Sequence, residues 1–289
     1  MFNRKKSFIT GFITGVSLLT ILTLSACGGK SQTLNVSGSD TMVQLVQNLA
    51  KKFMEVNPTK MVSVSGGGSG TGIATLLNGQ TDIATASRTM KDKEWKLAEG
   101  KGIKITEHIV AIDMLAVVVH PDNPVKQLTL KQLRDIFTGK ITNWKEVGGN
   151  DSPILALSRE NNSGTHVYFK EEVVRLGKKD SDAEYGTSIT FANSSQQIID
   201  QVKGNISAIS YVGMGWLTDE VTSLKMENPD NGKYFLPSIA NSGKDKYPLG
   251  RTLQMYTNDA FLEKATPFIE FIKSEAGQAV VRELGFISL

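Results

Sequence analysis

Cysteine is all but missing from this chain: Cys27 is the only one in 289 residues. No disulfide can form within the chain, so the fold must rest on its apolar core. Histidine is nearly as scarce. His108, His120 and His166 are the full set, and no two of them stand at the i, i+4 spacing of a zinc-binding helix. Charge of one sign is also lacking. The formal balance is only +3, which gives no field suited to nucleic acid. No G-x-S-x-G elbow is present, since the nearest match, Gly67-Gly68-Ser69-Gly70-Thr71, ends in threonine. The glycine-rich residues 66–72 likewise lack the G-K-[ST] ending of a nucleotide P-loop. His166 beside a serine turn is the one place where a hydrolase could be imagined, and it reads more simply as a first-turn helix residue. No catalytic residue, metal site or cofactor is expected, and the chain is not expected to be an enzyme.

A long uncharged run occurs once, at the start. Arg4, Lys5 and Lys6 precede residues 7–26, which carry no charge and end in Leu24-Ser25-Ala26-Cys27. A basic start, an apolar middle and small residues before a cut are the marks of a secretory signal peptide. The cysteine after them makes it a lipoprotein signal, in which Cys27 carries the lipid, diacylglycerol with an acyl chain such as palmitate. A transmembrane helix is the competing reading, but Thr10, Gly11, Thr14, Gly15, Ser17, Thr20 and Thr23 dilute the stretch. Removal of residues 1–26 leaves 289 minus 26, or 263, residues, enough for about two domains. It also removes three basic side chains and no acidic one, which brings the mature charge close to zero. Residues 27–33 read as a lipidated tether.

From residue 34 onward β-like runs alternate with helical periodicity, the pattern of an α/β fold. The expected helices cover 42–56, 73–77, Leu130–Phe137, 169–176 and 198–202, with two more across 260–284. In the first, Leu45, Val46, Leu49 and Phe53 recur at helical spacing and Pro58 follows its end. Strands are expected at 34–36, 62–64, 114–119, 154–157, 206–211 and 252–256. Trp95, Trp144 and Trp216 read as packing residues rather than a stacking platform. The lysines in 91–96 and Lys178-Lys179 read as solvated faces that could also contact acidic lipid heads or a partner.

Three segments share one local design, with hydroxyl residues and glycines just before a helical run. They are Gly38-Ser39-Asp40-Thr41, Ser65-Gly66-Gly67-Gly68-Ser69-Gly70-Thr71-Gly72 and Asn162-Ser163-Gly164-Thr165. The first N–H groups of a helix lack partners and face a positive dipole end, which favours an anion. Ordinary helix capping explains any one of them alone; three together point to convergent anion donors. Arg88 and Arg159 flank them, and a guanidinium fork suits a tetrahedral oxyanion. Arg159 stands four residues before Ser163.

On these residues the chain resembles the phosphate-binding subunit of Pst-type phosphate importers. The motifs in question are the three segments above together with Ala86-Ser87-Arg88, Gly139-Lys140-Ile141-Thr142-Asn143-Trp144, Arg159-Glu160-Asn161-Asn162 and Ala208-Ile209-Ser210-Tyr211-Val212, in the family's order. The resemblance implies a two-lobed type II periplasmic-binding-protein-like fold with a two-strand hinge, crossings matching 114–119 and 247–253. Lobe 1 would comprise 34–113 and 248–289, and lobe 2 would comprise 114–247. It also implies capture of inorganic phosphate by a monomer that is lipid-anchored outside the cell membrane. Delivery would be to two membrane permease subunits with an ATPase pair, and no nucleic acid is involved. By position, Thr41 and Ser69 donate from lobe 1, and Arg159, Ser163, Gly164 and Thr165 from lobe 2, with Ser39 a further donor by adjacency.

One departure concerns selectivity. Some members of the family carry an aspartate where this chain has Arg88, and it accepts the proton of bound phosphate. Phosphate near neutral pH keeps a proton and sulfate does not, so a carboxylate aimed at the ligand separates them. Asp40 is the candidate acceptor here, with helix N-capping as its alternative role. Glu160 is expected to orient Arg159, and Asp82 to be structural. The same fold could serve another tetrahedral oxyanion such as sulfate or molybdate. A phosphoester-processing enzyme or a surface adhesin stands further off.

Overall fold

The computed structural model describes residues 33–243 and 245–289. The proposed signal and Cys27 lie outside the described residues. No helix among those described is long and apolar enough to cross a membrane.

The chain first lays down β1 (Leu34–Gly38), α1 (Val43–Val56), β2 (Val62–Ser65), α2 (Ser69–Leu77), β3 (Ile83–Ala86) and α3 (Asp92–Gly100). The i, i+4 face of α1 buries Leu45, Val46, Leu49 and Phe53 as its spacing requires. Strands β2, β1 and β3 pair in parallel, in that order.

Then comes β4 (Ile105–Val119), 15 residues without a break. Only its second half was legible as a strand, because Glu107, His108 and Asp113 interrupt the apolar run of the first. From there the chain builds β5 (Gln127–Leu128), α4 (Leu130–Phe137), β6 (Leu155–Arg159) and α5 (Gly164–Phe169). It continues through β7 (Thr190–Ala192), α6 (Ser195–Lys203), β8 (Ala208–Gly213), β9 (Thr222–Ser223), β10 (Lys225–Glu227) and β11 (Tyr234–Phe235). Helix α4 starts where the sequence places it because Thr129 and Gln132 form a reciprocal capping box. The return strand β12 (Gly250–Asn258) is followed by α7 (Leu262–Lys273) and α8 (Glu275–Glu283).

The principal sheet runs β2-β1-β3-β12-β4-β8-β6-β7, with β9 beside β4, and it is continuous only because β4 belongs to both halves. Through Met114, β4 pairs antiparallel with β12; from Leu115 it pairs with β8. Near the same point Leu115 N–H donates to the Leu249 carbonyl, where the chain returns just ahead of β12. The two lobes are therefore joined by two adjacent extended segments, a hinge.

Each half carries its own apolar cores. In the first, α1, α7 and α8 cover one sheet face with Leu49, Phe53, Phe268, Ile272 and Val281, while Ile73, Leu76, Ala84 and Tyr256 fill the other. In the second, β4 is buried on both faces: Leu115, Val117 and Val119 join Phe137, Phe169 and Tyr211, whereas Ala116 and Val118 join Ile198, Val202 and Val212. This two-sided burial is why 114–119 reads as an uninterrupted apolar run.

Candidate anion site at the seam between the lobes

Two of the three hydroxyl-rich segments come from the first half, at the ends of β1 and β2, and the third follows β6 in the second half. The fold places them against one another. Thr41 Oγ1 and Thr165 Oγ1 are 2.7 Å apart, and both residues are buried. The Ser69 hydroxyl accepts the Ser87 N–H at 3.1 Å. A Cβ added to Gly164 would stand 2.3 Å from Ser69 Oγ and 2.6 Å from Ser87 Oγ. Only glycine lets the α5 turn approach that closely.

The glycine-rich segment differs from expectation in a useful way. Helix α2 begins at Ser69 and not at residue 73, so Ser69-Gly70-Thr71-Gly72 is its first turn rather than a loop ahead of it. The sequence concealed this because two glycines in four residues weaken helix propensity. Gly68 precedes the helix at φ +91°, a backbone region that favours glycine, and a Cβ there would meet the Asn162 carbonyl at 2.7 Å. The Gly70 N–H donates to that same carbonyl at 2.9 Å, and Asn162 Nδ2 donates to the Gly67 carbonyl at 2.9 Å. These bonds stitch the two halves at one edge of the seam.

Arg159 ends β6 and is 2% exposed. Four of its five N–H groups are engaged: Nη2 donates to Asp40 Oδ2 at 2.8 Å and to the Asn193 carbonyl at 2.9 Å, Nη1 to Ser195 Oγ at 3.0 Å, and Nε to the Ala192 carbonyl at 3.3 Å. Burial disfavours its charge, and Asp40 supports it. Glu160, the residue expected to orient Arg159, is exposed; that work falls to Asp40 and to residues 192–195. Asp40 is not a helix cap. Its Oδ1 accepts the Gly67 N–H at 3.0 Å while Oδ2 holds Arg159 across the seam. Asp82 bonds the Asn35 N–H and Lys264, as a structural residue would.

Capping does explain part of the pattern. Ser163 Oγ accepts the His166 N–H and caps α5. Ser39 makes no such bond: its hydroxyl is buried and has no partner. Leaving a buried hydroxyl unpaired costs roughly 1–3 kcal/mol. Thr41 is held from behind, where Trp216 Nε1 donates to its carbonyl at 3.0 Å.

Arg88 reaches the first turn of α2, where a Cβ on Gly70 would stand 3.7 Å from its Nη2, and its buried Nε has no hydrogen-bond partner among the described residues. Its Nη1 and Nη2 bond Glu94 at 2.8 and 2.7 Å, and Nη1 also bonds the Thr89 carbonyl. Burial works to raise the Glu94 carboxyl, but Arg88 and the Lys91 N–H outweigh it and hold the group below its usual range. Arg88 also lines a cavity of about 410 Å³ with Lys91, Lys178 and Lys179, while Lys93, Lys96, Lys178 and Lys179 are exposed, as solvated faces would be.

The site's support includes His166. Its Nδ1–H donates to the Arg159 carbonyl at 2.6 Å, and burial lowers its pKa from 6.5 to about 4. Neutral at working pH, it fixes the end of β6 without adding charge.

The PBP superfamily domain model matches residues 25–276. The phosphate-binding protein PstS of Bacillus subtilis is 33% identical over 259 residues, which is 89% of this chain and 81% of that protein. The chain belongs to the PstS family. A PstS of Pseudomonas aeruginosa is 30% identical over 278 residues, 90% of this chain and 84% of its own length. Among solved structures, a putative phosphate ABC transporter substrate-binding protein from Clostridium perfringens, crystallised with bound phosphate, superposes at TM-score 0.79. It is 33% identical and covers 89% of this chain and 99% of that one.

One residue of this PstS-family chain escaped the sequence reading. Arg251, near the start of β12, is 6% exposed and touches both halves of the seam: Nη1 lies 3.2 Å from the Ser87 carbonyl and 3.1 Å from Thr165 Oγ1. A signal was available, since Asp113 and Arg251 are opposite charges set within strand runs. Without register the two could not be paired.

Proposed function

We propose that the protein captures one inorganic phosphate ion outside the cytoplasmic membrane and delivers it to an ABC-type phosphate importer. The convergence of Thr41, Ser69, Arg159 and Thr165 from distant parts of the chain onto one buried seam carries this reading. The ligand set is Ser39, Asp40, Thr41, Ser69, Arg88, Arg159, Ser163, Gly164 and Thr165, with Glu94 balancing the charge of Arg88. Lobe 1 is 34–113 with 248–289, and lobe 2 is 114–247.

Hydroxyls and guanidinium donors suit an anion whose oxygens are nearly all acceptors. A hydrogen bond to a charged group nets about 1.5 to 3 kcal/mol, and micromolar affinity needs about 8.2 kcal/mol. Four or five such bonds in surplus over desolvation are sufficient. The Asp40 carboxylate accepts the remaining phosphate proton and repels sulfate, which has none. Because donors come from both lobes, they can be satisfied together only when the lobes are shut, so phosphate draws the hinge closed. Cys27 carries the lipid anchor once residues 1–26 are removed, the closed monomer docks on a pair of permease subunits, and their ATPase partners supply the energy.

Equilibrium titration of the purified protein with phosphate, sulfate and molybdate between pH 5 and 8 tests the reading. One phosphate per chain with sulfate at least a hundredfold weaker is expected, from a contact difference of about 3 kcal/mol. Equal binding of sulfate, or turnover of phosphoesters without retention of free phosphate, overturns it.

A further inference from the structure

Arg251 has a role that the ligand set does not absorb, and it rests on the phosphate reading above. A guanidinium can only donate, so the Thr165 hydroxyl must accept the Nη1 bond. A hydroxyl has a single proton and two lone pairs. With one lone pair taken by Arg251, the remaining proton and lone pair of Thr165 turn away from the guanidinium, toward Thr41 Oγ1 at 2.7 Å, and against an anion, which offers only acceptors, it is the proton that is given. We propose that Arg251 is a positioning residue for ligand capture, which commits the Thr165 hydroxyl to donation and ties that donor to the hinge.

The anchoring of Arg251 fits this task. Nε and Nη2 both grip Asp113 Oδ2, at 2.9 and 2.7 Å, and the other Asp113 oxygen accepts the Met214 N–H at 2.9 Å. Asp113 is fully buried and stands one residue before β4 exchanges β12 for β8. Tyr168 places its ring 5.5 Å from the guanidinium carbon. Three edges of the fork are thus fixed by Asp113, Ser87 and Thr165, a planar demand that an ammonium cannot meet. Because Asp113 balances its charge, Arg251 contributes direction to a hydroxyl and little net field.

The test is a double-mutant cycle read by phosphate titration. Thr165→Val removes the hydroxyl and Arg251→Gln removes its orienting donor; apo melting temperatures check that each variant is folded. About a tenfold loss is expected from each single change, and the double variant should bind no worse than the weaker single one, because Arg251 acts through Thr165. Arg251→Lys should lose as much as Arg251→Gln. Losses that multiply in the double variant, or full affinity in Arg251→Lys, overturn the assignment. Should Arg251→Gln fail to fold because it strands the Asp113 carboxylate, the cycle is run with Asp113→Asn/Arg251→Gln, which removes both charges together, and the same two outcomes decide. Wild-type protein that ignores phosphate would instead overturn the functional reading itself, so the two failures are told apart.

Discussion

Asp40 and Arg159 are bonded to each other across the seam, at 2.8 Å. The acceptor and the donor wanted for a protonated oxyanion already share one spot, and truncating them should act differently. Asp40→Asn keeps the shape but loses the charge that repels sulfate; sulfate competition against phosphate is expected to rise at least tenfold, a change of about 1.4 kcal/mol. His166 contributes to the acid sensitivity of the fold. Its ring stays neutral in the folded protein down to about pH 4, while in the unfolded chain it takes a proton below its ordinary 6.5. Stability is level in this respect above pH 6.5 and falls by up to about 3 kcal/mol as pH drops toward 4. Denaturation midpoints measured at pH 7 and pH 4.5 should converge in His166→Gln relative to wild type. At this scale the sequence was most informative where a residue's chemistry announces itself, as at Arg159 or Thr41. It was silent on which donors are already spent, as at the two terminal nitrogens of Arg88, because that depends on Glu94 lying within reach.

Among the elements, α5 and α2 meet end to end, and Gly164 is the point of contact. Gly164→Ala places a methyl 2.3 Å from Ser69 Oγ, a clash between the two sides of the seam. Phosphate affinity is expected to fall at least tenfold while the melting temperature without ligand stays within a few degrees. Packing behind α5 gives the opposite result: Phe169 is fully buried and stacks on Tyr211 at 3.8 Å. Phe169→Ala should cost about 3 to 5 kcal/mol in chemical denaturation. Helices with one apolar face, such as α1 and α4, were legible from their periodicity and caps. The first half of β4 and the first turn of α2 were not. Charged residues at the hinge and glycines at the site suppress the local signals that packing later overrides.

For the whole molecule, the single continuous strand β4 makes two lobes into one hinged body, and ligand should stabilise the shut form by mass action. Phosphate at a thousand times its dissociation constant is expected to add about 4 kcal/mol to unfolding free energy. Gly164→Ala should show a much smaller thermal shift at the same phosphate concentration. The α/β class followed from alternation along the sequence and the two lobes from the family resemblance, whereas the placement of three distant segments on one seam needed the sheet order. Calorimetry of phosphate binding to wild type beside Arg159→Ala addresses that convergence most directly. One site per chain and a loss of at least a hundredfold in the variant, about 3 kcal/mol, are the expected results. Undiminished binding by Arg159→Ala would contradict it.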